Sequence, residues 1–184
     1  MGSCVVSRRT VIAYWLTPTE SARTFFQSVI NDLAQRYNAP VFEPHVTIHV
    51  GATCPDPFDR VLSKAAQRCE PMLLQILGVS GSSEFIKTLF VQFALTTQLE
   101  QLNQSIRTSV QDSSGYRLDP HLSLLYKRIS IQDRRLLMRS IEMPFAEVIF
   151  DSLKAVRCIS PTQSRVDVEA WRVLAEKPIG SPGV

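Results

Sequence analysis

Apolar residues recur along this chain at two spacings, one suited to strands and one to helices. Val11 to Leu16 is a short aliphatic, β-branched run, which favours a strand. Ala22, Phe25, Phe26, Val29, Ile30, Leu33, Ala34 and Tyr37 then fall at helical spacing and mark an amphipathic helix. Thr17-Pro18-Thr19-Glu20 supplies its predicted start, with Thr17 as N-cap, Pro18 in the first turn and Glu20 closing a capping box. Asn38 and Pro40 end it. A strand through His45 to Val50 follows. Asp56-Pro57 opens a second helix, with Val61, Leu62, Ala65, Ala66 and Cys69 on one face. Strands are predicted over Met72–Val79 and Glu84–Leu95, with a turn near Gly78 and Gly81. Thr97-Gln98-Leu99-Glu100 is a capping box for a third helix, aligned on Leu99, Leu102, Ile106 and Val110. Ser113-Ser114-Gly115 reads as a loop before a strand from His121. Ser130-Ile131-Gln132-Asp133 starts a helix to about Ile141. Strands are predicted from Pro144 to Phe150, Leu153 to Ile159 and Val166 to Ala175.

The order of elements repeats. Each half carries a helix, a strand with a histidine, a helix and a strand pair, which reads as an internal duplication. The expected fold is α+β and bilobal, with two antiparallel or mixed β-sheets, outer helices and a pseudo-two-fold axis at a central cleft. Residues 1–10 are expected to be a flexible N-terminus, 11–176 a single bilobal domain, and 177–184 a Gly/Pro-rich flexible tail.

Composition narrows the function classes. At 45% hydrophobic and 20% charged, the 184 residues are ordinary for a globular domain. A net charge of +3 suits an anionic small molecule rather than duplex nucleic acid, which calls for a concentrated basic face. No apolar run approaches the roughly 20 residues of a membrane span. Cys4, Cys54, Cys69 and Cys158 lie far apart with no metal-type or disulfide-framework spacing, which points to a reducing, cytoplasmic setting. Met1-Gly2-Ser3-Cys4 lacks the Ser or Thr at position six that myristoylation requires. A monomer is expected.

All three histidines lie in two similar stretches, Glu43-Pro44-His45-Val46-Thr47-Ile48-His49 and Asp119-Pro120-His121-Leu122-Ser123-Leu124-Leu125-Tyr126. Both read acid, proline, histidine, aliphatic, hydroxyl, aliphatic. In a strand, residues i and i+2 share a face, so each strand presents an imidazole beside a hydroxyl. Two imidazoles can serve as base and acid at neutral pH. Two hydroxyls can donate to the non-bridging oxygens of a phosphodiester, where charge concentrates in the transition state. That logic requires neither metal nor cofactor. His45 and His49 would lie about 13 Å apart on a strand, too far to share one ion, so His49 is expected at the strand's far end, partly exposed. Glu43 and Asp119 precede prolines, which enforces an extended backbone but does not bring their carboxylates to the imidazoles. Simple alternation puts Tyr126 on the face opposite His121; a bulge or strand end would be needed to bring it to the cleft. Trp15 shares a face with Val11 and Ala13, and Phe85 with Lys87.

The paired His45-Val46-Thr47 and His121-Leu122-Ser123 resemble the motifs of the two-histidine (2H) phosphoesterases. Pro-His-Val-Thr and Pro-His-Leu-Ser-Leu-Leu-Tyr are similar to the wording of the plant and yeast type cyclic phosphodiesterases, over about Val11 to Val173. The resemblance implies His45 and His121 as catalytic groups, Thr47 and Ser123 as phosphate ligands, and Tyr126 and, more loosely, Trp15 as substrate-binding aromatics. It implies metal-independent opening of ADP-ribose 1″,2″-cyclic phosphate or nucleoside 2′,3′-cyclic phosphates. Ile86 and Lys87 stand where relatives carry more aromatics, which leaves substrate preference open. Two alternatives stay open: an enzyme acting on the cyclic ends of RNA, and a nucleotide-phosphate-binding module without turnover.

Overall fold

The computed structural model describes residues 8–52, 57–67, 69–111 and 115–180. The predicted loop at Ser113-Ser114, the helix-opening Asp56, and Cys4 and Cys54 lie outside them. Among the described residues the order is β1 (Arg9–Pro18), α1 (Glu20–Tyr37), β2 (Val46–Gly51), α2 (Phe58–Ala66), β3 (Met72–Ser80), a 3₁₀ turn (Phe85–Lys87), β4 (Leu89–Phe93), α3 (Thr97–Ser109), β5 (His121–Leu125), α4 (Ile131–Ser140), β6 (Glu147–Ser160), α5 (Arg165–Glu169) and β7 (Arg172–Pro178).

The expected α+β, bilobal architecture is present, with antiparallel pairing throughout. The two expected sheets are joined. Strand neighbours run β1-β2-β5-β4-β3-β6, and β6 pairs back with β1 to close a circuit, with β7 on the outer edge of β6. The lobes meet where β2 touches β5, at the single register pair Val46↔Leu122. These are the residues that follow His45 and His121. The duplication shows in the packing too: α1 precedes β2 but packs on β5, whereas α3 precedes β5 but packs on β2. Their buried stripes, Ala22, Phe26, Leu33 and Ala34 on α1 and Leu99, Leu102 and Ile106 on α3, reach the main core, while Ile30 of α1 packs with Phe42, Tyr126 and Val168.

Element ends moved for local reasons. Thr17 does not cap α1. It is fully buried in the β1–β6 ladder opposite Ser152, so the strand runs to Pro18 and Thr19 becomes the N-cap. Asn38 does end α1, in the left-handed region that Asn tolerates. Thr96, not Thr97, caps α3, its hydroxyl accepting from Leu99 N. Ser130 caps α4 as expected. The predicted strand Glu84–Leu95 begins only at Leu89. The buried Thr88 hydroxyl donates to Glu84 O at 2.8 Å and coils the preceding residues into the 3₁₀ turn. Gly81 permits this turn, since a Cβ there would come within 2.7 Å of Thr88 O. The strands predicted at Pro144–Phe150 and Leu153–Ile159 are one 14-residue strand that changes its outer partner from β3 to β7 at mid-length. Val166 lies not in a strand but in α5, which a Ser164–Asp167 capping box starts. Lys177 and Pro178 belong to β7 and Ile179 is buried, so the last strand runs into the stretch expected as a tail. β1 likewise begins at Arg9, within the stretch expected to be flexible.

Both histidine strands carry a bulge just after the motif. β1 pairs Tyr14 with His49 but Trp15 with Thr47, so β2 holds one extra residue, Ile48. β4 pairs Leu89 with Leu125 but Phe90 with Ser123, so β5 holds an extra Leu124. An extra residue inverts the alternation beyond it. His49 is thereby turned into the core beside Tyr14, fully buried rather than partly exposed as alternation implied. The β2 bulge is pinned from outside: Asn103 Nδ2 donates to Ile48 O at 2.7 Å and Tyr116 OH to Thr47 O at 3.1 Å.

Candidate active site

The register Val46↔Leu122 decides the geometry of the motifs. Continued one residue either way, it faces His45 with Ser123 and Thr47 with His121, all four on one side of the sheet. The two imidazoles are held by the same device. Pro44 and Pro120 force the chain to be extended, so the carbonyl two residues back meets the ring. His45 Nδ1 lies 2.6 Å from Glu43 O, and His121 Nδ1 2.7 Å from Asp119 O. A carbonyl only accepts, so each Nδ1 carries the proton and donates it, leaving each Nε2 as the acceptor. The acidic residues therefore orient the histidines through their backbone carbonyls. Their carboxylates go elsewhere, Glu43 to Lys154 and Asp119 to Lys87, although Asp119 Oδ2 also passes 3.8 Å from His121 Nδ1.

The surroundings of the two rings differ. Trp15 lies flat on His45, with ring centroids 3.7 Å apart and planes 10° apart. Trp171 meets His45, Trp15 and Tyr126 edge-on. His45 is 5% exposed, and burial drives its pKa down to about 3, with the charges of His121 and Lys154 acting in the same direction and the Glu43 carbonyl opposing. The His121 side chain is 20% exposed, with Phe90 edge-on at 5.3 Å. Burial lowers its pKa too, while the Asp119 carbonyl and the Asp119 and Glu84 carboxylates pull it up and Lys87 pushes it down.

A cavity of about 380 Å³ opens beside the junction of the lobes, ample for a mononucleotide-sized ligand. Its floor is the cleft face of β1 (Val11, Ala13, Trp15) with Cys158 of β6, and His45, Thr47, Phe85, Tyr126 and Trp171 stand around it. Tyr126 reaches it because the Leu124 bulge turns the chain beyond Ser123; the hydroxyphenyl ring stacks on Phe42 at 3.8 Å. Its counterpart in the other half, five residues after His45, is Val50, also in the wall. Arg128 and Glu84 are the charged groups at the rim. Among the described residues no three His, Cys, Asp or Glu gather closely enough to hold a metal ion.

A family model described as "Cyclic phosphodiesterase-like protein" matches residues 10–179. The chain belongs to that family. It is thus a two-histidine phosphoesterase and an enzyme, a hydrolase of the cyclic phosphodiesterase type. It is 20% identical over 172 residues to a cyclic phosphodiesterase of Arabidopsis thaliana, over 91% of this chain and 94% of that one. E. coli LigT, solved in complex with 3′-AMP, shares the fold with a TM-score of 0.58 at 12% identity, over 92% of this chain and 98% of that one. TT0787 of Thermus thermophilus does so with a TM-score of 0.58 at 13% identity, over 94% and 100%.

Of the six residues singled out in the sequence of this phosphodiesterase, Trp15, His45, Thr47 and Tyr126 line one cavity. His121 and Ser123 lie beside it, across the β2–β5 junction. The Ser123 hydroxyl donates to Ile86 O at 2.8 Å, which ties the 3₁₀ turn over β5. Phe42 and Trp171 were not found by sequence reasoning. Phe42 lay in the unremarkable link before the first motif, and Trp171 in a stretch misread as strand. No helix among the described residues is long and apolar enough to cross a membrane.

Proposed function

We propose that this phosphodiesterase opens ADP-ribose 1″,2″-cyclic phosphate and nucleoside 2′,3′-cyclic phosphates to the phosphomonoesters without a metal, using His45 as general base and His121 as general acid. The observation that carries this reading is the paired tether: two imidazoles, each fixed through Nδ1 to the carbonyl two residues back, with Nε2 left to exchange a proton. His45 Nε2 takes a proton from the attacking water as its oxygen bonds to phosphorus. The P–O bond to the sugar breaks, and His121, protonated, gives its proton to the departing oxygen. Thr47 donates to a non-bridging oxygen; Ser123 does the same once its hydroxyl turns from Ile86 O. Each proton transfer is worth about 10²–10⁴-fold.

Burial supports this division of roles. The deeply buried His45 stays neutral over the working range. His121 is more open and has the Asp119 carboxylate at hand, so an arriving phosphate anion makes it the imidazolium. Trp15, Phe85, Tyr126 and Trp171 supply apolar and stacking surface for a base, and Phe42 backs Tyr126 from the core side. The described cysteines, Cys69 and Cys158, are free thiols, which suits a cytosolic enzyme.

The test is turnover of both substrates in excess EDTA by the wild type and His121→Ala. Activity that survives EDTA and is lost in the variant supports the reading, and a silent wild type contradicts it. An oligonucleotide with a cyclic end, turned over far better than the mononucleotides, would favour the RNA-end alternative. Both histidines are depressed in the free enzyme, so the optimum of kcat/KM is expected on the acid side of the usual histidine value of about 6.5.

A further inference from the structure

We infer that Lys154 and Lys87 are positioning residues: each clamps the acid that opens one acid-Pro-His motif and so fixes the carbonyl that holds the imidazole. The inference rests on the reading of His45 and His121 as the reacting pair.

The geometry is the same in both halves, although the lysines come from unrelated places. Lys154 lies on β6, opposite Trp15 on one side and Glu176 on the other. Trp15 in turn faces Thr47, so Thr47, Trp15, Lys154 and Glu176 form one row across four strands. From there Lys154 reaches Glu43, its Nζ 2.6 Å from Oε1, with Glu176 Oε2 at 3.4 Å. Lysine is seldom this buried unless paired, and Lys154 is 7% exposed. Glu43 is therefore held at both ends, its carboxylate by Lys154 and its carbonyl by His45 Nδ1.

In the other half Lys87 closes the 3₁₀ turn and pairs with Asp119 Oδ2, while Gln92 Nε2 donates to Asp119 Oδ1 at 3.2 Å. Lys87 Nζ also stands 4.6 Å over the Phe90 ring, which meets His121 edge-on. Asp119 is again held at both ends, and its carbonyl takes His121 Nδ1. Neither lysine lines the cavity. Each therefore acts through its acid. A slack carbonyl would let the ring turn, and a displacement of about 1 Å at a reacting group can cost a hundredfold in rate.

The clamps are also fixed charges beside the rings. His45 faces Glu43, Lys154 with Glu176 behind it, and His121; His121 faces Asp119, Lys87, Glu84 and His45. Removing Lys154 takes away a positive charge that disfavours protonation of His45, and removing Lys87 does the same for His121.

The experiment is kcat, KM and the pH profile of kcat/KM, measured on nucleoside 2′,3′-cyclic phosphate for Lys154→Met, Lys154→Arg, Glu43→Gln, Lys87→Met and Lys87→Arg. Lys154→Met and Lys87→Met are expected to lower kcat about ten- to a hundredfold with KM little changed. Lys154→Met should move the acidic limb to higher pH, and Lys87→Met the basic limb. The arginine variants should recover most of the rate. Glu43→Gln should lose rate without raising the acidic limb, because Lys154 keeps its charge. Wild-type kcat and limbs in both methionine variants would overturn the clamps. Should Lys154→Met fail to fold, a wild-type rate in Glu43→Gln would overturn them alone. His45→Ala serves as control. If it retains full activity, the catalytic reading has failed rather than the clamps.

Discussion

The two histidine motifs share a backbone and differ in their cover. In both, a proline-stiffened step ties Nδ1 to the carbonyl two residues earlier, and a bulge follows the hydroxyl residue. Around His45 the chain has laid Trp15 and Trp171; around His121 it has left one-fifth of the side chain open beside Asp119. A duplicated scaffold thus yields two imidazoles of like orientation and unlike acidity. The pairing of titratable groups whose environments push their pKa values apart is how acid and base roles are divided. The asymmetry lies in the side chains from β1, β6 and α5's end, not in the motifs themselves.

The largest effect should come from removing either ring. His45→Ala and His121→Ala are each expected to cost about 10²–10⁴-fold in kcat, and the double variant little more than one of them, because the pair works as a unit. Steady-state rates on a 2′,3′-cyclic nucleotide check this; independent, multiplying losses would break the pairing.

Next in size are the hydroxyls. Thr47 lines the cavity, whereas Ser123 donates to Ile86 O. Thr47→Ala should therefore lower kcat by up to about a hundredfold, the scale of one lost oxyanion donor, and Ser123→Ala by less. Equal losses would show that Ser123 gives up its bond to Ile86 and would erase this difference between the halves.

Folding stability should also follow pH. The pKa of His45 is depressed on folding, to about 3. As pH falls below the unfolded value of about 6.5, the unfolded chain takes up a proton that the folded one refuses. Stability from this group is complete above about pH 6.5 and is lost as pH drops towards 3, by at most about 1.4 kcal/mol per pH unit. Urea midpoints between pH 4 and 7 should fall less steeply in His45→Gln than in the wild type. Parallel slopes would mean that burial does not depress His45.

Much of this was legible in the sequence. The repeated acid-Pro-His pattern located both rings, period-two spacing placed Thr47 and Ser123 beside them, and alternation put Trp15 with Val11 and Ala13. The rest was hidden for identifiable reasons. Alternation cannot register an extra residue, so the bulges at Ile48 and Leu124 inverted what it implied for His49 and Tyr126. Phe42, Trp171 and Lys154 join the site through pairings distant in sequence, and nothing local distinguishes Lys154 from any polar residue on a strand. The Glu84 to Thr88 turn depends on a buried hydroxyl bond that propensity alone does not weigh.

The most direct measurement is an NMR titration of the imidazole nitrogens. The chain has three histidines, so His45→Gln and His121→Gln suffice to assign them. In both rings of the neutral free enzyme, Nδ1 is expected to carry the proton. His121 is expected to gain its second proton below about 6.5, and His45 only near 3. Two rings titrating together near 6.5 would contradict the division of roles between them.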